Sequence, residues 1–93
     1  MKIKYSAITG IPAAIAAVKR DSYSLRFVKD QTEEICLAAV NQNGYSLQFV
    51  KDQTEAICLV AVKQNVGSLQ FVLDFELFVK LSKKFGIEIE IEN

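Results

Sequence analysis

Residues 23–43 read YSLRFVKDQTEEICLAAVNQN, and residues 45–65 read YSLQFVKDQTEAICLVAVKQN; 17 of these 21 positions agree at a spacing of 22. Self-similarity at a fixed period of this length marks a repeat architecture. The register extends outward from the two matched stretches. SLQFV at residues 68–72 restarts the unit a third time, and AAIAAV at residues 13–18 lies 22 residues before ICLAAV. The N-terminal run YSAITGIPAAIAAV, which has the look of a signal-peptide core behind Lys2 and Lys4, is therefore read as the helix of a degenerate first unit.

The local pattern predicts what one unit folds into. Asp30-Gln31-Thr32-Glu33 and Asp52-Gln53-Thr54-Glu55 offer Asp or Thr as N-cap, and Asp with Glu three residues on has the spacing of a capping box. On that reading the repeated acids Asp30, Asp52 and Asp74 are caps, not paired catalytic carboxylates. The run Glu33 to Asn43 has apolar residues on two faces, which suits a helix held between neighbours, and Leu37 and Leu59 are expected to be buried between units. Asn43-Gly44 ends the helix, with Gly44 expected at positive φ. A short second helix follows over residues 45–51. A two-helix unit of this kind buries its apolar faces only by stacking on its neighbours. The fold expected is mainly α: one domain over residues 1–93, a small α-solenoid with units at about 11–22, 23–44 and 45–66 and a cap at 67–86.

The two ends leave the repeat. Residues 74–84 read as an amphipathic helix, with lysines near its C-terminus and Gly86 as its stop. Beyond it Ile87 to Glu92 alternates Ile and Glu, and Met1 to Tyr5 alternates Lys with apolar residues. Each pattern is that of a half-buried strand, so a two-stranded terminal sheet joining 1–5 and 87–92 is expected.

Composition excludes several functions. With no His the chain lacks the commonest general base and metal ligand, and Ser-His and Cys-His pairs with it. Eleven basic residues balance eleven acidic ones, without the basic excess of a nucleic-acid protein; Lys19, Arg20, Arg26, Lys29, Lys51 and Lys63 are the only candidates for a basic stripe. Cys36 and Cys58 sit in apolar ICL contexts and are read as free buried thiols, and no apolar run is long enough to cross a membrane. The expectation is a cytoplasmic, non-enzymatic protein with no cofactor, metal or small-molecule substrate.

AVNQNGYSLQFV and AVKQNVGSLQFV, each behind a DQT cap and an EICL or AICL helix start, resemble a family of tandem helical repeats, the domain of unknown function 4116. The residues that carry the resemblance are Ala39, Val40, Gln42, Asn43, Gly44, Leu47 and Phe49, and again Ala61, Val62, Gln64, Asn65, Leu69 and Phe71. It implies repeats found in bacterial, protist and large-virus proteins, with no established chemistry. Val66-Gly67 departs from the pattern at the third junction. Residues 76–89 also resemble the second helix of acyl carrier proteins, but Phe71 stands where that family needs its serine.

The differences between the two matched units are not scattered. Glu34/Ala56, Ala38/Val60 and Asn41/Lys63 are spaced i, i+4, i+7 on one face of the longer helix, and the fourth is Arg26/Gln48 on the short one. Solvent-facing positions drift freely, which accounts for such a pattern without selection. Val60 is apolar where a purely solvated face would carry a polar residue, which keeps open a second reading, a surface that recognises a protein partner. The expected role is protein–protein interaction by a monomer or weak homo-oligomer. The alternative is a structural protein that assembles through its repeat ends or terminal strands.

Overall fold

The structure, a computed structural model, describes residues 10–90. Among these residues seven helices follow one another without a strand. Four are α-helices: α1 (Ile11–Arg20), α2 (Glu33–Gln42), α3 (Glu55–Gln64) and α4 (Phe75–Lys84). Three short 3-10 helices lie between them: η1 (Ser22–Phe27), η2 (Gly44–Phe49) and η3 (Val66–Phe71). The starts of α1, α2 and α3 fall 22 residues apart, as do those of η1, η2 and η3. Each α-helix packs on the next, and each 3-10 helix on the next.

Short side chains fix both helix junctions. Thr32 and Thr54, in extended backbone, accept hydrogen bonds from the Ile35 and Ile57 amides, each 3.2 Å long, and so cap α2 and α3. This corrects the expectation for Asp30 and Asp52, which are exposed two residues too early, in a bend before the helix. Asp74 is a cap, accepting from Leu77 N at 3.0 Å, because α4 starts two residues ahead of the register. At the other junction Asn43 and Asn65 end one helix and begin the next. Their φ values of −154° and −153° are extended, and each side chain accepts the amide two residues on.

Gly44 is therefore not at positive φ; among the described residues only Gly10 and Gly86 are. What Gly44 supplies is close approach, since a Cβ there would collide with the Ala61 carbonyl oxygen and lie 2.7 Å from Ser68 Oγ. Because the turn needs no left-handed residue, Val66 occupies the same place in the next unit with the same junction geometry. Gly86 does take the left-handed conformation, at φ 68°, and closes α4 with Gly86 N donating to Lys83 O and Ile87 N to Ser82 O.

The core is a column of equivalent residues: Leu25, Leu47 and Leu69 from the 3-10 helices, and Ile35, Cys36, Ala39 and Val40 with Ile57, Cys58, Ala61 and Val62 from α2 and α3. Leu37 and Leu59, expected inside, are only half-buried and pack against the edge of this column. The helix turns its Ile-Cys and Ala-Val pairs inward, which leaves the leucine between them at the margin. Tyr23 meets Phe49 edge-on at 5.5 Å between ring centroids, and Tyr45 meets Phe71 at 6.2 Å, so each unit locks an aromatic into the next.

The most extensive link between units is a glutamine. Gln31 Nε2 donates to Leu25 O in its own unit and to Phe49 O in the next, at 3.2 and 2.8 Å. Its Oε1 accepts from the Lys51 amide at 2.9 Å and from the Cys36 thiol at 3.6 Å. Gln53 repeats the set with Leu47 O, Phe71 O, the Leu73 amide and Cys58 Sγ.

The terminal sheet is not seen: Ile87 to Glu90 form no strand, and residues 1–5 and 91–92 of the expected pair lie outside the described residues. Alternation of Ile and Glu makes one apolar face, but a strand also needs a hydrogen-bonded partner.

Two substitutions test this account. Gly44→Ala should cost about 1–3 kcal/mol through overpacking, and Gly44→Asn should be no better, whereas a left-handed site would favour Asn. Gln53→Ala should cost about 1–3 kcal/mol by leaving Phe71 O and Leu73 N without their partner. Urea unfolding of both variants beside wild type measures this.

Candidate functional site

The positions that differ between the matched units fall in two rows. Glu34, Ala38 and Asn41 lie on α2, with Ala56, Val60 and Lys63 on α3; Arg26 and Gln48 lie on η1 and η2. Glu34, Asn41, Ala56, Lys63, Arg26 and Gln48 are exposed, while Ala38 and Val60 are half-buried, their inner edges against the core. Since α2 packs on α3 and η1 on η2, the structure brings each row together across the two units. It does not join the rows: no hydrogen bond or ion pair among the described residues connects Arg26 or Gln48 to the other six.

Within the rows the polar groups are lightly held. Gln64 Nε2 donates to Asn41 Oδ1 at 3.0 Å across the unit boundary, and Gln48 Nε2 donates to the Tyr45 carbonyl at 3.0 Å. The Arg26 guanidinium lies 4.6 Å from the centre of the Phe27 ring. The first-unit counterparts Pro12, Ala16 and Lys19 are also exposed. What such a surface offers is shape and a few unpaired hydrogen-bonding groups, not a reactive centre.

The most nucleophilic side chains face inward. Cys36 and Cys58 are free thiols, buried at the core side of α2 and α3. Burial first, then the negative charges of Asp52 and Glu33, pushes the Cys36 thiol up from 9.0 to about 11. Burial and then Asp74 do the same to Cys58, also to about 11. Both thiols donate to their unit's glutamine, so they stay protonated, and a thiol in that state is a poor nucleophile. Among the described residues no group of three or more Cys, Asp or Glu side chains is arranged to hold a metal ion. None of the described helices is long and apolar enough to cross a membrane.

The open grooves lie towards the C-terminal end. One, of about 410 Å³, runs between η3, Phe78 and Ile87 to Glu90. Another, of about 450 Å³, lies along α4 between Phe75 and Lys83.

Two overlapping stretches, residues 14–55 and 32–78, match the family model described as Domain of unknown function (DUF4116), as tandem copies would. The chain belongs to that family. No curated protein and no solved structure matches it. The structure gives the DUF4116 signature a physical meaning. Ala39, Val40 and Leu47 are buried, Asn43 caps η2, Gly44 lets η2 approach α3, and Phe49 receives the Tyr23 ring. Ala61, Val62, Asn65, Leu69 and Phe71 repeat these roles, and Gln64 bridges to Asn41. The signature is one of packing, so it reports how units stack and leaves the outward faces free to differ.

The raised thiols make an alkaline prediction. Their folded-state pKa lies above the unfolded value, so their contribution is fully present below pH 9.0 and is lost as pH rises through about 11. Urea midpoints should fall across that window, and a Cys36→Ala/Cys58→Ala variant should fall less steeply. Equal slopes would show that the thiols do not govern the loss.

Proposed function

We propose that this chain is a small α-solenoid that acts, without catalysis, by binding another protein through the exposed faces of α2 and α3, with the η1–η2 edge beside them. The observation that carries this reading is the separation of constant from variable positions. Residues that build the buried core, the junction caps and the glutamine links are the same in both matched units; Asn41, which accepts from Gln64 across the boundary, is the one variable position in an inter-unit hydrogen bond. All four differences fall on positions that are exposed or half-exposed. A stacked-repeat protein binds in this way, with a fixed frame and a changeable surface. Nearest-neighbour packing of α1 on α2, α2 on α3, η1 on η2 and η2 on η3 supports the solenoid. Two free buried thiols and no disulfide suit a reducing compartment such as the cytoplasm.

The test is a comparative capture. Wild type and a Glu34→Lys/Val60→Asp/Lys63→Glu variant, shown by circular dichroism to be equally folded, are immobilised side by side. A protein retained by wild type and lost by the variant, then reconstituted pure against both, supports the reading. Identical capture by the two proteins would place binding elsewhere, and failure of the purified pair to bind would remove the interaction.

A further inference from the structure

The repeat ends by turning apolar. At the internal junctions the residues before each helix are Lys-Asp-Gln-Thr; the equivalent stretch at the last junction is Leu73-Asp74-Phe75-Glu76. Leu73 replaces a lysine and is 77% exposed, and Phe75 replaces the stitching glutamine and is 60% exposed. They are the most exposed large apolar side chains among the described residues, where the others lie between 38% and 46%. Because position 75 is not glutamine and position 67 is glycine instead of tyrosine, the glutamine and aromatic links that would reach a further unit are both missing. The apolar groups therefore do not serve to continue the stack.

Phe75 belongs instead to one stripe of α4. Phe75, Glu76, Val79, Lys80 and Lys83 share a face about 140° wide at 100° per residue, and they line the shallow groove of about 450 Å³. Phe75 is braced from behind by Phe78, stacked at 6.4 Å between centroids. Lys80 is held by Glu55 of α3 at 2.7 Å. Glu76 at the start of the stripe and Lys83 at its end make no ion pair among the described residues.

This charge pattern is complementary to its own reverse. A twofold axis through the middle of α4, between residues 79 and 80, places Glu76 of each helix opposite Lys83 of the other. The same axis sets Val79 of one helix beside Lys80 of the other. Antiparallel pairing also opposes the two helix dipoles favourably. We propose that α4 docks antiparallel on α4 of a second copy of this chain, with two reciprocal Glu76–Lys83 pairs either side of Val79 and Phe75 at each end of the contact. The interface is isologous, so it closes at two copies and builds no filament. Ten residues of helix span about 15 Å, so the contact is at the small end of interfaces and the dimer is a weak one.

Sedimentation velocity across a concentration series tests this with a charge-exchange design. Wild type should shift from monomer to dimer as concentration rises. Glu76→Lys alone and Lys83→Glu alone should each weaken the dimer by at least about tenfold, since each sets like charges together twice. The two variants mixed should form a heterodimer, and the double exchange in one chain should restore the homodimer. Phe75→Ser should remove association while helicity is retained. Wild type that stays monomeric at millimolar concentration overturns the proposal, as does a dimer indifferent to these changes. Binding of the monomer to anionic vesicles, lost in Phe75→Ser, would also overturn it, by assigning the stripe to a lipid surface.

Discussion

A neutral amide side chain, presented twice at a spacing of 22 residues, ties this stack together. A repeat unit of two short helices has no core of its own, and its loops carry backbone groups that no helix satisfies. Gln31 and Gln53 meet both needs. Each amide group donates to the carbonyls that end the 3-10 helices of two successive units, and its oxygen accepts an amide from the second unit's loop. Only a group with a donor and an acceptor on one planar end does this: Glu would set charge against carbonyls, and Leu would leave the Phe49 and Phe71 carbonyls without the glutamine donor. Thr beside the glutamine caps the next helix, so two consecutive residues fix both the link between units and the helix start.

Much of the arrangement was legible because repetition amplifies weak signals. Two near-identical units placed α2, η2 and α3, while the end of α4 was read separately from Gly86 and the lysines before it. The errors share a physical cause: local patterns fix which residues are present, but tertiary approach decides which are used. Asp30 and Asp52 have capping chemistry at a plausible spacing, yet Thr32 and Thr54 stand one residue before the helix and take the role. Gly44 carries the usual mark of a left-handed turn, but it is needed because α3 passes close by. Leu37 and Leu59 look like core by residue type, and the small Cys and Ala inside them let the helices come nearer. Nothing local marks Gln31 and Gln53 as ties; the available signal was that a polar residue in a loop is identical in both units. For the candidate site, the positions were legible, and six of the eight are exposed; Ala38 and Val60 are half-buried because the core reaches their inner edges.

The family signature and the candidate surfaces occupy different residues. Signature positions are consumed by packing, and binding, if it differs from one repeat to another, resides where the signature is silent. Two kinds of silent surface are present here: the α2–α3 face, whose residues change between otherwise equal units, and the α4 stripe, where the chain abandons the repeat and turns apolar side chains outward. The first is the surface we propose for a foreign partner and the second the one we propose for a second copy of the chain, and they lie on different helices.

The central claim, that the loop glutamines hold successive units together, is tested most directly by amide hydrogen exchange at Lys51 and Leu73. Neither amide lies in a helix, and each is bonded to a glutamine of the preceding unit, at 2.9 and 3.0 Å. In wild type both should exchange slowly despite their exposed side chains. Gln53→Ala should release Leu73 and leave Lys51 protected, and Gln31→Ala should do the reverse. Exchange of both amides at the rate of an unstructured loop in wild type would contradict the account.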